Sequence, residues 1–347
     1  MFKSHLEKIN RSTSRFHYRK KSLRLDKNER IIPFNKKTIT DIKNLVTNNI
    51  LQIYPEDFDK TIALLAKKEK VNKRFINLIP GADSGLKYLF EVLSKEKKIL
   101  SIHPTYKMVE VFSDVYKQFF NKVLESQIDK KFLNKKYYKN TSFLYIANPN
   151  QPSGNIIDYR KILEIIKFAK KKKKYLIIDE AYIDFSSQVS TASLVEKHAN
   201  LIVLKSFSKS IGIAGARIGY LIANAKINKM VDAVRSAGDI SHFSLVILDY
   251  FLKKPKIWKK YLKDITSSKN FISVTCKKNK FDFRMTEGNF FYIFFKKLNY
   301  KKILIKLKRK KVLVKPTIIT NNGNTKLSLR VTIGSIAQMK FFFKIIK

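Results

Sequence analysis

Cysteine, glycine and proline are all scarce in this 347-residue chain, and the cysteine shortage closes off a class of explanation. The single cysteine, Cys276, excludes an intramolecular disulfide framework and a multi-cysteine metal site. No apolar run approaches the roughly 20 residues that a membrane-spanning helix needs. The start, Met1-Phe2-Lys3-Ser4-His5, has no apolar stretch behind it, so a secretory signal is not expected either. These absences favour the cytosol. Acidic residues are also few, 27 against 72 Lys and Arg, which leaves a net charge of +45. What is abundant is apolar: 44% hydrophobic and 12% aromatic residues suffice for a buried core and argue against disorder.

The positive charge raises nucleic-acid binding as a possible role. Against it, Lys far outnumbers Arg and sits in runs such as Lys171-Lys172-Lys173-Lys174 beside expected helix ends. No RRM, KH, helix-turn-helix or zinc-finger pattern accompanies it. The charge reads as solvated lysine faces with general anion affinity, and a basic nucleic-acid-binding protein is the lesser alternative.

The length allows two domains. Residues 1–35 are basic and polar and read as an N-terminal arm. Residues 36–235 alternate helical patterns (Thr61 to Lys70, Ser84 to Ser94, Tyr159 to Lys171) with short apolar strands. The expected strands are Phe75 to Ile79, Ile99 to Ile102, Phe143 to Ala147, Tyr175 to Ile178, Leu201 to Leu204 and Ile218 to Ala223. That alternation predicts an α/β domain with a mostly parallel sheet covered on both faces, which binds ligands beyond the carboxyl ends of its strands. Residues 236–347 change texture: a long helix through Leu245 to Ser267, then strands at Phe290 to Phe295, Val312 to Val314 and Leu327 to Ile333, a smaller α+β domain.

Six of the ten glycines fall at Gly81 and Gly85, Gly154, and Gly212, Gly215 and Gly219, each group flanking an expected strand. Glycine permits positive φ and close approach of a ligand, so these loops are where special backbone is expected. The strand from Tyr175 ends in Asp179-Glu180-Ala181-Tyr182, an acid that could bind metal, act as a base, hold a cation, or simply be solvated. Leu201 to Tyr220 reads LIVLKSFSKSIGIAGARIGY: a strand, then Ser206, Ser208 and Lys209, a Gly-containing loop, then Arg217. Two hydroxyls and an arginine around a lysine suit a phosphate dianion. A lysine shielded from water near other cations is a usable amine nucleophile.

Eight segments in this order resemble the fold-type-I aminotransferases that use pyridoxal 5′-phosphate (PLP), class I/II, in their histidinol-phosphate aminotransferase-like branch. They are Leu25-Asp26-Lys27-Asn28-Glu29, Tyr54-Pro55, Gly81-Ala82-Asp83, Pro104-Thr105-Tyr106, Asn148 to Gly154, Asp179 to Tyr182, SFSKSIGIAGARIGY and Leu329 to Gly334. The resemblance runs from about Leu23 to the C-terminus. It implies a seven-stranded, mostly parallel sheet flanked by helices and a smaller α+β C-terminal domain.

The resemblance also implies roles. Lys209 would carry PLP as a Schiff base and shuttle the substrate proton. Asp179 would pair with the pyridine nitrogen, Tyr106 would stack on the ring, and Tyr182 would bond the phenolic oxygen. Ala82 and Asp83, with Ser206, Ser208 and Arg217, would cup the phosphate at a helix N-terminus. Tyr54 would reach the phosphate from the partner subunit of a homodimer. Arg330 would clamp the substrate carboxylate, with Asn28, Glu29 and Arg30 bordering the substrate. Two departures are visible. Gln151 stands where the family places Asn before Pro, with Asn150 as a substitute. Arg30, and Lys315 where an arginine is common, suggest an anionic distal group on the substrate. The implied reaction moves an amino group between an amino acid such as glutamate and a keto or aldehyde acceptor. The alternative within the same chemistry is a decarboxylase resembling the threonine-phosphate decarboxylases.

Overall fold

Period-two patterning decides the large sheet. In β5 (Thr141–Ala147), Leu144 and Ile146 face one core cluster while Phe143, Tyr145 and Ala147 face another. In β6 (Tyr175–Asp179), Leu176 and Ile178 oppose Ile177, and in β7 (Leu201–Ser206), Leu201 and Val203 oppose Ile202 and Leu204. Strands apolar on both faces must be covered on both faces, and helices do the covering. A computed structural model describes residues 4–9, 19–55, 58–321 and 324–347.

The remaining strands of this sheet are β2 (Ile76–Ile79), β3 (Lys98–Ile102), β4 (Phe119–Val123) and β8 (Gly219–Ile222), in the order β2-β8-β7-β6-β5-β3-β4. Only β8 runs against its neighbours; the β3, β4, β5, β6 and β7 pairings are parallel. The fold-type-I expectation of seven strands holds. β4 escapes sequence reading because FFNKV is an edge strand with mostly half-exposed residues and no clean apolar run.

Helix Tyr159–Lys171 shows how the covering layer is written. Asp158 caps its N-terminus by accepting from the N–H groups of Arg160 and Lys161. Ile162, Ile165, Ile166 and Ala169 form its buried stripe, and Lys170 and Lys171 end it favourably for the helix dipole. The single helix expected from Leu245 is two helices, His242–Lys253 and Pro255–Lys278. Pro255 cannot donate to the preceding turn and clashes with it, so it opens a new helix instead of continuing the old one.

A second sheet has five strands, β1 (Leu23–Leu25), β9 (Phe283–Met285), β10 (Phe290–Phe295), β11 (Val312–Asn321) and β12 (Asn324–Thr332), ordered β1-β11-β12-β10-β9. The segment read as an arm therefore supplies a strand here: Leu23 to Leu25 pair in parallel with Val312 to Val314. Helices Pro255–Lys278, Lys297–Arg309 and Ile336–Ile346 pack on it around Phe291, Phe342, Phe343 and Leu329. No helix among the described residues is long and apolar enough to cross a membrane.

Candidate active site

The carboxyl ends of β3, β5, β6 and β7 lie along one edge, and the antiparallel β8 begins at that same edge, with Gly219 opposite both Ser206 and Ile79. The residues singled out in sequence follow those ends: Tyr106, Gln151, Asp179, Ser206, Ser208, Lys209, and Arg217 just before β8. With Ala82, Asp83, Tyr182, Asn28, Glu29 and Arg330 they line one cavity of about 440 Å³.

One end of this cavity is built for an anion. Helix Ala82–Leu93 starts at Gly81 (φ 83°), and no side chain caps it, so its first N–H groups are free to face a ligand. A Cβ on Gly81 would come within 3.1 Å of an Arg217 guanidinium nitrogen, so that guanidinium lies directly against the helix start. Arg217 itself adopts a left-handed φ of 48°, a strain of roughly 1 kcal/mol that the fold tolerates to aim this side chain. Ser206 and Ser208 stand beside it, the Ser208 N–H donating to the Ser206 hydroxyl at 3.2 Å. Tyr106 donates to Asp83 at 2.6 Å; burial first and Asp83 second push its phenol well up.

Asp179 is 6% exposed. One carboxylate oxygen accepts from the Tyr145 hydroxyl at 2.8 Å and the other from the Ala181 N–H at 3.0 Å. Burial outweighs both bonds, and Asp83 and Glu180 add repulsion, so its pKa rises from 3.8 to about 6. A carboxylate held this far from water is poised to be stabilised by a cation brought against it.

Lys209 Nζ donates to the carbonyls of Lys27 and Asn28, both at 3.2 Å, and lies 5.7 Å from the centre of the Tyr182 ring. Asn28, with a left-handed φ of 55°, is the junction of the site. Its amide donates to the Tyr182 hydroxyl at 3.0 Å, its N–H donates to Thr332 at 2.9 Å, and its carbonyl accepts from Asn289 at 3.1 Å. The N-terminal segment is thereby pinned to both sheets. Glu29 lines the cavity but is neutralised by Arg19 at 2.8 Å.

Arg330 on β12 is 9% exposed; its guanidinium donates to the Asp26 carbonyl at 3.0 Å and lies 5.5 Å from the Phe290 ring centre. Its Nε is buried and has no protein partner among the described residues. Lys315, which also lines the cavity, is its direct cross-strand partner. Two cations paired across a sheet are unfavourable unless an anion joins them.

The structure moves two of the expected residues off this wall. The Asn150 amide faces away: it donates to the Pro104 carbonyl, Glu125 and Ser153, and accepts from Thr105. Gln151 is the amide that lines the cavity. Arg30 is sandwiched between Phe34 and Tyr261 at 3.8 and 4.4 Å, donates to the carbonyls of Ile32 and Ile211, and is lowered to about 10 by burial. Its stem fills the space that a Cβ on Gly212 would need, so it braces the Lys209 loop from outside. Tyr54 is 83% exposed and lines a separate surface hollow with Pro55 and His242. Sequence reading missed Lys27 and Lys107 on the cavity wall, and Tyr145 behind it. Tyr145 had a signal, since it sits two residues before Ala147 on the same face of β5.

Behind β7, Lys205 is buried and pairs with Glu69 at 2.6 Å and Glu180 at 3.4 Å. Burial alone would raise Glu69, but Lys205 and Lys68 override it and hold it at about 2. Tyr220 donates to the same carboxylate at 2.7 Å, and Thr191 donates to Glu180 through its N–H and hydroxyl. This network locks β6 to β7 directly behind Asp179.

Comparison with known proteins shows the family. A family model described as aminotransferase class I and II matches residues 23–346. Over 319 residues the chain is 30% identical to a histidinol-phosphate aminotransferase of Brachyspira hyodysenteriae, covering 88% of this chain and 86% of that protein. Over 256 residues it is 30% identical to a dihydroxyacetone phosphate transaminase of Campylobacter jejuni, covering 71% of this chain and 68% of that protein. In fold it superimposes on a histidinol-phosphate aminotransferase of Sinorhizobium meliloti in complex with pyridoxal 5′-phosphate. There the TM-score is 0.83 at 17% identity, over 98% of this chain and 96% of that one.

Proposed function

The chain belongs to the class I and II aminotransferases, which are PLP-dependent enzymes, and from that premise we propose that it transfers the amino group of glutamate to a phosphate-bearing keto or aldehyde acceptor. The observation that carries this reading is the convergence of Lys209, Asp179 and Arg330 on one cavity whose far end is an uncapped helix start packed against Arg217. The residues fit the cofactor, with an anion cradle and a buried acid in need of a cation, while Arg330 Nε, without a partner among the described residues, is left for a substrate carboxylate. When bound, PLP supplies an aldehyde for amine exchange and a ring that accepts the electrons released at the substrate α-carbon.

Each residue then has a task. Ala82 and Asp83 N–H groups, Ser206, Ser208 and Arg217 hold the phosphate. Asp179 stays ionised against the pyridine nitrogen and keeps that nitrogen protonated. Tyr182 and Gln151 bond the phenolic oxygen, and Tyr106 covers the ring. Lys209 Nζ anchors the cofactor and later carries the proton to and from the substrate α-carbon. Asn28 orients Tyr182 and receives Lys209 Nζ. Arg330 forks onto the substrate carboxylate.

The acceptor's phosphate is argued from charge. Lys27 and Lys315 line the cavity beside Arg330, whereas Glu29 and Lys107 are already paired with Arg19 and Glu110. The two named relatives act on histidinol phosphate and dihydroxyacetone phosphate, and both relatives are named for amino transfer, which favours transamination over decarboxylation. We place the large domain at residues 36–235 and the small one at 236–347, with the N-terminal segment as its first strand. Val46, Leu51, Ile53 and Tyr54 form an exposed apolar run suited to a homodimer in which Tyr54 serves the partner's phosphate cup, in the cytoplasm. The test is a donor and acceptor screen on purified enzyme, read by the absorption of bound cofactor. Glutamate should change the spectrum, and a phosphorylated keto or aldehyde compound should restore it. A spectrum that no amino donor alters, or carbon dioxide release without a keto acid, would overturn the reading.

A further inference from the structure

The loop after β5 stands between two hollows. Pro149 and Gln151 face the active-site cavity, while Glu125, Asn150 and Gly154 face an open cleft of about 600 Å³ on the other side. A partition with a hollow on each side depends for its position on the bonds at its ends. Three consecutive carbonyls, those of Pro152, Ser153 and Gly154, are gripped by the small sheet. Pro152 accepts from the Tyr292 hydroxyl, Ser153 from Arg284 at 3.2 Å, and Gly154 from the Glu287 N–H at 2.9 Å. A Cβ on Gly154 (φ 74°) would come within 2.3 Å of the Thr286 side chain, so the loop backbone rests directly on the β9–β10 turn.

Tyr292 is 1% exposed, so no water replaces its bond to Pro152. It faces Arg284 on β9 and Arg330 on β12 in register, and Arg330 in turn faces Lys315 on β11. The Arg284 guanidinium lies 5.0 Å from the Tyr292 ring centre. One row of side chains across the small sheet therefore grips the loop at one end and walls the active site at the other.

We propose that Tyr292, assisted by Arg284, is a positioning residue that clasps the Pro152–Gly154 backbone and so holds the Gln151 amide toward the cofactor ring. This rests on the assignment of Gln151 to the cofactor's phenolic oxygen. The clasp accounts for how Gln, longer than the family's Asn by one methylene, is kept in place: the backbone that follows it is fixed from the small sheet. Asn150, with its amide held by Pro104, Glu125 and Ser153, secures the other side of Gln151.

The test uses cofactor-loaded enzyme without substrate, titrated by absorbance across pH, for wild type, Gln151→Ala, Tyr292→Phe, Arg284→Gln and the Gln151→Ala/Tyr292→Phe double variant. An N–H donated to the phenolic oxygen favours the deprotonated chromophore, so its loss raises the midpoint, by about half to one pH unit for a hydrogen bond of ordinary strength. Tyr292→Phe should raise the midpoint as Gln151→Ala does, the double variant should go no further, and Arg284→Gln should move it less but in the same direction. In Tyr292→Phe, kcat should fall several-fold with KM for glutamate within about twofold, because misplacement acts on the reacting geometry and not on carboxylate binding. If Gln151→Ala shifts the midpoint while Tyr292→Phe and Arg284→Gln titrate as wild type, or if the two shifts add, the clasp is refuted. If Gln151→Ala itself leaves the midpoint unmoved, the Gln151 assignment is what has failed, and the clasp's purpose falls with it.

Discussion

Asp179→Asn should make the cofactor-free protein more stable at neutral pH while abolishing its turnover. In the fold, burial lifts this acid from 3.8 to about 6. An acid harder to ionise in the folded state than in the unfolded one opposes folding above its folded-state pKa and has no effect below its unfolded one. The displacement corresponds to about 3 kcal/mol of opposition once the pH passes about 7. Asn removes that term, but its NH2 cannot accept both bonds now made by Tyr145 and Ala181, a loss of about 1 kcal/mol. The variant should therefore be more stable by about 2 kcal/mol above pH 7, equal to wild type at about pH 4.5, and less stable by about 1 kcal/mol below about pH 3. Denaturant unfolding of both cofactor-free proteins across that range measures the difference. A stability gap that does not change with pH, or a wild type that is the more stable at pH 8, would refute the claim that Asp179 is held ionised against its surroundings. With cofactor present the order should reverse, because only the carboxylate can pair with a protonated ring nitrogen.

Three further outcomes follow from the geometry. Arg330→Lys keeps the charge and loses the fork, so KM for glutamate should rise about 10- to 100-fold with a smaller change in kcat; a kcat-only defect would contradict the carboxylate role. Tyr54→Phe should weaken cofactor binding about 10-fold or more, and mixing it with Lys209→Ala chains should regenerate wild-type affinity in one site of each hybrid dimer; no recovery would mean that Tyr54 does not act across subunits. Lys205→Met leaves buried Glu180 without its cation and buried Glu69 with Lys68 alone, and should cost about 3 kcal/mol in denaturant unfolding. Glu69, lowered from 4.5 to about 2, stabilises the wild type above pH 4.5 and loses that contribution as the pH falls toward 2. The variant should keep only the part of this acid-side dependence that Lys68 supports.

The large sheet was legible because its strands are apolar on both faces and end in the residues that carry chemistry. Leu176 to Ile178 running into Asp179, and Leu201 to Leu204 running into Ser206 and Lys209, state both the sheet and the edge on which the site lies. Residues whose task is set by distant partners were not legible in this way. Nothing local distinguishes Asn150 from Gln151 as the inward amide; Glu125 and Pro104, far along the chain, decide it. Arg30 reads as a substrate cation until Phe34 and Tyr261 are seen to close on it. The short strands β1, β4 and β9 lacked a pattern because each is an edge or a three-residue segment stabilised by its neighbour's backbone. The +45 charge says nothing about the cavity, whose wall includes Lys27, Lys209, Arg217, Lys315 and Arg330.

The most direct test is borohydride reduction of the protein after incubation with PLP, followed by peptide mapping. The account predicts that the pyridoxyl group is fixed on the peptide containing Lys209 alone among the 60 lysines, and that Lys209→Ala protein retains none of it. Label spread over surface lysines, or label unchanged in Lys209→Ala, would contradict it.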